Sequence, residues 1–272
     1  MPQGRKKQLM IKIAISGKGG VGKTTFSALL TATLALKGSQ VIAVDADPDA
    51  NLPSALGLPF DEPIAPLSEM HDFIAERTGT QEIGGYFKLN PRVDDIPERF
   101  ARHLGNIRLL VLGGVSKGGG GCICPASTVL KALMVHLVLG RDDAVVMDME
   151  AGIEHLGRAT AQSMDALGLV VDEGPWSVQT ALRVKELAGD LGLKRLFAVA
   201  NRIQNPDAVS RVAGRLGEVG IPLLGHLPVD PRLVQSVIQL DGESQFAPTE
   251  ALLHYRPMVE EIIERVKALK TE

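Results

Sequence analysis

Short apolar runs recur along the chain at Met10–Ser16, Val41–Asp45, Ile107–Leu112, Ala144–Asp148, Leu167–Val171, Leu196–Ala200 and Leu223–Leu227. They are rich in Val, Ile and Leu and do not alternate cleanly with polar residues, the pattern of strands buried on both faces. Helix-compatible stretches lie between and after them: Phe26–Lys37, Thr128–Leu139, Val178–Leu191, Ala208–Val219, Arg232–Leu240 and Glu250–Leu269. Strands alternating with helices predict an α/β fold, a doubly wound and mostly parallel sheet of about seven to eight strands. Such sheets bind ligands at the C-terminal ends of their strands. Residues 52–106 break the pattern with Pro53, Pro59, Pro63, Pro66, Pro91 and Pro97. A short helix near Ser68–Glu76 and otherwise loops are expected there. The sequence shows no internal repeat and no low-complexity segment.

The first strand runs into Gly17-Lys18-Gly19-Gly20-Val21-Gly22-Lys23-Thr24-Thr25, and a helical run follows. This is G-x-x-x-x-G-K-[ST] in the strand–loop–helix context that the phosphate-binding P-loop requires. The glycines let successive N–H groups of Gly19, Gly20, Val21, Gly22, Lys23, Thr24 and Thr25 turn toward phosphate oxygens. The helix N-terminus adds partial positive charge at the same place. Lys23 is placed to reach the β- and γ-phosphates, and Thr24 to offer its hydroxyl to Mg²⁺. The chain is therefore expected to bind a nucleoside triphosphate with Mg²⁺.

Two further acidic strand ends belong to such a site. The second strand ends in Asp45-Ala46-Asp47-Pro48, and the fourth run ends in Met147-Asp148-Met149-Glu150-Ala151-Gly152. Asp148 fits the Walker B pattern, in which a carboxylate closing an apolar strand holds Mg²⁺ through water. Asp47 is a candidate to touch the metal or to orient an attacking water. Met147 and Met149 read as core residues. Asn201 follows the Leu196–Ala200 run, and its amide can both donate to and accept from a purine edge. A cap or turn role for it stays open.

Lys18, a second lysine directly after the first glycine, is unusual. With it the loop resembles the deviant P-loop of the dimeric ATPases related to MinD, ParA and the nitrogenase iron protein. That resemblance implies a P-loop ATPase that binds ATP and ADP, as a homodimer in which Lys18 reaches the partner's nucleotide. It also implies that Asp47, before its proline, activates water, that Asn201 reads adenine, and that Pro228 in Leu227-Pro228-Val229-Asp230 flanks the base.

Gly118-Gly119-Gly120-Gly121-Cys122-Ile123-Cys124-Pro125 follows the third run and holds the only two cysteines of the sequence. A pair this close makes a poor structural staple, and a reducing cytoplasm is the expected setting. Cys122 and Cys124 offer two thiolates to a soft metal, whereas a closed tetrahedral site takes four ligands. Two copies of the pair across a symmetric dimer complete it, with Ni²⁺ or Zn²⁺ as the expected ion. Taken with Met147-Asp148-Met149-Glu150-Ala151-Gly152-Ile153-Glu154-His155-Leu156-Gly157-Arg158, this loop is similar to the CooC family. These are the nickel-insertion ATPases of carbon monoxide dehydrogenase, with a relative, AcsF, that serves acetyl-CoA synthase. The resemblance runs from about Met10 to about Leu269. It implies that ATP closes a nickel-bridged dimer and that hydrolysis accompanies delivery to the apo enzyme's cluster. His155 is read as a residue of the switch or as a metal ligand.

Two other readings stand beside this one. An electron-transfer ATPase like the nitrogenase iron protein would bridge its dimer with a 4Fe–4S cluster, but His155 stands where its second cysteine is expected. A MinD- or ParA-like positioning ATPase would want a basic surface or an amphipathic tail. The formal charge is −3, which argues against a nucleic-acid partner. No apolar run approaches a bilayer span, and the Glu250–Leu269 helix mixes its charges, which argues against a membrane partner. Residues 1–9 are expected to form a flexible basic arm without an apolar signal core, and residues 10–272 a single ATPase domain.

Overall fold

The computed structural model describes residues 10–80, 87–113, 125–140, 143–151, 153, 156–193, 195–240 and 246–269. The expected arm, Cys122, Cys124, Gly152 and His155 lie outside them. In chain order the first half runs β1 (Lys12–Gly17), α1 (Lys23–Leu36), β2 (Val41–Ala46), α2 (Leu52–Ala55), a 3₁₀ turn (Leu67–Glu69), α3 (His71–Thr78), α4 (Ile96–Phe100), β3 (Arg102–Leu104), β4 (Ile107–Val111) and α5 (Pro125–Leu139). The second half runs β5 (Ala144–Met149), α6 (Arg158–Ser163), β6 (Ala166–Val171), α7 (Pro175–Leu191), β7 (Leu196–Ile203), α8 (Pro206–Glu218), β8 (Leu223–Pro228), a 3₁₀ turn (Pro231–Val234), β9 (Ile238–Leu240), β10 (Phe246–Pro248) and α9 (Glu250–Ala268).

Eight strands form one sheet in the order β3-β4-β2-β5-β1-β6-β7-β8. Only β3 runs antiparallel to its neighbour. All the apolar runs read from the sequence are strands of this sheet. Their missing alternation has a direct cause, since both faces are covered. Ile13 and Ile15 of β1 pack toward α1 and α9, while Ala14 packs into the core of the opposite face with Leu133 of α5 and Ala181 of α7. Met147 and Met149 are fully buried in that second layer.

The expected helix over Arg232–Leu240 is corrected. Leu233, Val237 and Ile238 are buried at a spacing that mimics a helix face. The segment is instead a 3₁₀ turn that leads into β9, which pairs antiparallel with β10. Two interactions select this shape. The Asp230 side chain accepts from Arg232 N at 2.9 Å and so caps the short turn. Val237 N then donates to Ala55 O at 3.0 Å, which draws the chain extended across α2. The expected Ser68–Glu76 helix is split between the first 3₁₀ turn and α3.

Candidate functional site

The site gathers at the C-terminal strand ends. Asp45 of β2 and Asp148 of β5 are register partners, and Ile15 of β1 pairs with Asp148 on the other side. The two acids therefore meet level with the start of the P-loop. The loop climbs from Gly17 and enters α1 through Gly22, whose φ of 96° lies in the left-handed region. A Cβ at Gly22 would overlap the Asn201 amide nitrogen, so glycine is required there on two counts. Val21 N donates to Lys18 O at 3.4 Å, closing the loop on itself. Lys18, Gly19 and Gly20 are exposed at its tip, and Thr24 and Thr25 are half-buried.

Lys23 begins α1 and is only 6% exposed. Its ammonium acts on the Asp148 carboxylate, which also accepts a hydrogen bond from the Thr24 hydroxyl. Ser27, one helical turn after Lys23, donates to Asp148 Oδ1 at 3.0 Å. Asp148 Oδ2 is buried and has no hydrogen-bond partner among the described residues. Burial pushes the Asp148 carboxyl up to about 6, against the opposing pull of those two hydroxyls and of Lys23. An orphaned carboxylate oxygen beside a threonine hydroxyl is a hard-oxygen donor set, and it fits Mg²⁺. Bound Mg²⁺ would lie against Thr24 and Asp148 and would neutralise phosphate charge.

Asp45 is wholly buried and works on the backbone. Its Oδ2 accepts from Leu52 N at 2.8 Å and its Oδ1 from Asp47 N at 3.1 Å. Burial, with the repulsion of Asp148 and Asp47, pushes its carboxyl up to about 7 even though those N–H groups favour the charge. Asp47 is half-buried, and its Oδ1 accepts from Asp49 N at 3.1 Å. The turn ends at Ala50, a non-glycine residue with φ of 45°. Left-handed alanine is strained. The segment carrying Asp47 is thus held at one end by Asp45 and bent at the other.

Asn201 is 5% exposed and donates from Nδ2 to Val21 O at 2.8 Å. A β-bulge puts it there. β7 and β8 pair Ala200 with His226 and Ile203 with Pro228, so β7 carries one residue too many. Arg202, with φ of 57°, absorbs it. Val199 faces the α1 layer while Ala200 and Ile203 both face the other. Pro228 is half-buried at the end of β8, two residues along β7 from Asn201 through its pairing with Ile203. Sequence reasoning missed Ser27 and the backbone role of Asp45. The signal for Ser27 was its spacing from Lys23 and Thr24, which puts all three near one face of α1.

Fold and site together define a P-loop ATPase. Residues 12–240 match the CobQ/CobB/MinD/ParA nucleotide-binding domain. The carbon monoxide dehydrogenase accessory protein CooC of Rhodospirillum rubrum is 44% identical over 223 residues, covering 81% of this chain and 84% of that protein. An uncharacterized ATP-binding protein of Methanocaldococcus jannaschii is 44% identical over 228 residues, covering 83% of this chain and 88% of its own. Among solved structures, the MinC:MinD cell division complex of Aquifex aeolicus aligns with a TM-score of 0.65 and 20% identity, over 97% of this chain and 98% of that one. The chain belongs to the CobQ/CobB/MinD/ParA nucleotide-binding family and, within it, to the CooC family. The likeness to MinD, at 20% identity, is one of fold.

Proposed function

We propose that the protein is an ATP-hydrolysing metallochaperone that delivers nickel to the active-site cluster of carbon monoxide dehydrogenase or of acetyl-CoA synthase. The observation that carries this reading is the 44% identity to CooC, a carbon monoxide dehydrogenase accessory protein. The sequence supports it with Cys122-Ile123-Cys124, which lies between β4 and α5 outside the described residues. In this reading the cargo sits at the cysteines, two from each subunit of a homodimer. Nickel is here a substrate to be passed on, and zinc suits the same thiolates.

The nucleotide chemistry follows from the acidic strand ends. Hydrolysis joins a water oxygen to the γ-phosphorus and breaks that atom's bond to the β–γ bridging oxygen. ADP leaves with the freed charge. Lys23 and the P-loop N–H groups meet that charge from one side, and Lys18 of a second subunit meets it from the other. Asp47 orients the water. Its anchorage to Asp45 ties this step to the turn ending at Ala50, a segment suited to move when the γ-phosphate is lost.

The reading is tested by activating nickel-free carbon monoxide dehydrogenase with limiting Ni²⁺ and ATP. The protein should raise activation, and Cys122→Ser or Asp47→Ala should remove the gain. Equal activation by Cys122→Ser would overturn the assignment of the cargo site.

A further inference from the structure

We propose that Asp230, Arg232 and Tyr255 form a positioning device that fixes the Pro228 segment from α9, so that the C-terminal helix sets affinity for the nucleotide base. The inference rests on the reading of Asn201 and Pro228 as the base site. Tyr255 is 6% exposed on the face of α9 that packs on the sheet. A phenylalanine would fill the same apolar volume. The hydroxyl donates a hydrogen bond to Asp230 Oδ2 at 2.6 Å and accepts one from the Arg232 guanidinium.

The same carboxylate is engaged on all sides. Its Oδ1 accepts from Arg232 N at 2.9 Å, and its Oδ2 accepts from Arg232 Nη2 at 2.6 Å. Arg232 Nη1 continues to Glu250 Oε1 at 3.0 Å, in the first turn of α9. The arginine and tyrosine hold the Asp230 carboxyl far below the usual carboxylate range, so it stays ionised. With these partners in place, Asp230 has little capacity left for a ligand. It is a positioning residue, two places from Pro228.

Pro228 is held from the other side as well. It pairs with Ile203, and Val229 N donates to Ile203 O at 3.2 Å. On that strand the bulge at Arg202 turns Asn201 toward Val21. One wall of the proposed slot is therefore set by the P-loop and the other by α9. Loosening the α9 side should release the base and leave the phosphates held. Phosphate contacts come from the loop between β1 and α1, whereas the Tyr255 hydroxyl is bonded to Asp230, beyond the end of β8.

The test compares ATP with inorganic tripolyphosphate, which offers phosphates and no base. Tyr255→Phe should raise the KM for ATP at least on the order of tenfold, the effect of losing a hydrogen bond to a charged group. Its kcat and its inhibition constant for tripolyphosphate should not change. Asp230→Asn should shift KM in the same direction. An unchanged KM for ATP in both variants, or equal losses for ATP and tripolyphosphate, would overturn the proposal. Pro228→Gly separates the two layers of the argument. If it weakens ATP and tripolyphosphate alike, the base-site reading fails and the inference with it. If it weakens ATP alone and Tyr255→Phe does not, the inference alone fails.

Discussion

Asn201→Ala separates two roles that one side chain is asked to play. In the structure its amide donates to the Val21 carbonyl at 2.8 Å, and the residue is 5% exposed. Truncation removes one partner of the bond and leaves the buried Val21 carbonyl unpaired, at a cost of about 1–3 kcal/mol. For a chain of this size each kcal/mol moves the melting temperature by about 2–4 °C, so a fall of roughly 2–12 °C is expected. Nucleotide-free protein in a thermal melt gives that number. Tripolyphosphate affinity should fall because the P-loop loses its brace. ATP affinity should fall further if the amide also reads adenine, and discrimination against GTP should shrink. A melting temperature unchanged to within about 1 °C would refute the bracing argument, since an unpaired buried carbonyl costs at least about 1 kcal/mol. Equal losses for ATP, GTP and tripolyphosphate would leave Asn201 as a brace and remove it from base recognition.

Gly22→Ala should be severely destabilising alone, because its Cβ would overlap the Asn201 amide; combined with Asn201→Ala the loss should be less than additive in a double-mutant melt. Lys18→Ala should leave the subunit folded, keep ATP binding and abolish ATP-driven dimerisation by light scattering; an unchanged dimer would remove its role across the interface. Without metal or nucleotide, stability should fall as pH rises from about 4 to about 7. Folded Asp45 and Asp148 have pKa values raised to about 7 and about 6, so the native chain binds more protons than the unfolded one across that window. Asp45→Asn should flatten the slope in melts run with chelator, and an equally steep slope would move its cause elsewhere.

Most of the sheet was legible because a strand buried on both faces is written as an uninterrupted apolar run. Ile13, Ala14 and Ile15 show why, since each finds a core on its own side. β3 was not legible. Arg102 and His103 are exposed on a three-residue edge strand, and it exists because it pairs with β4. The segment after Asp230 misled for a related reason. Its apolar spacing fits a helix, but contacts with α2 and β10 are made elsewhere in the sequence and select extended chain. The phosphate site was legible because its motif is local. The Asn201 contact was only half legible. The residue type pointed to a site, but the bulge at Arg202 that aims it at Val21 depends on the register between β7 and β8.

The central claim is a metal cargo shared between two subunits, and metal stoichiometry tests it most directly. Equilibrium dialysis against Ni²⁺ under reducing conditions, with the oligomeric state followed by light scattering, should saturate at one ion per two chains. The metal should itself promote the dimer. Cys122→Ser and Cys124→Ser should each abolish tight binding, because each removes two of four thiolates from a symmetric site. Affinity should fall as the pH drops below the range where thiols ionise, near pH 8.5 in the absence of metal. Tight binding of one nickel ion per chain in a monomer would contradict the account.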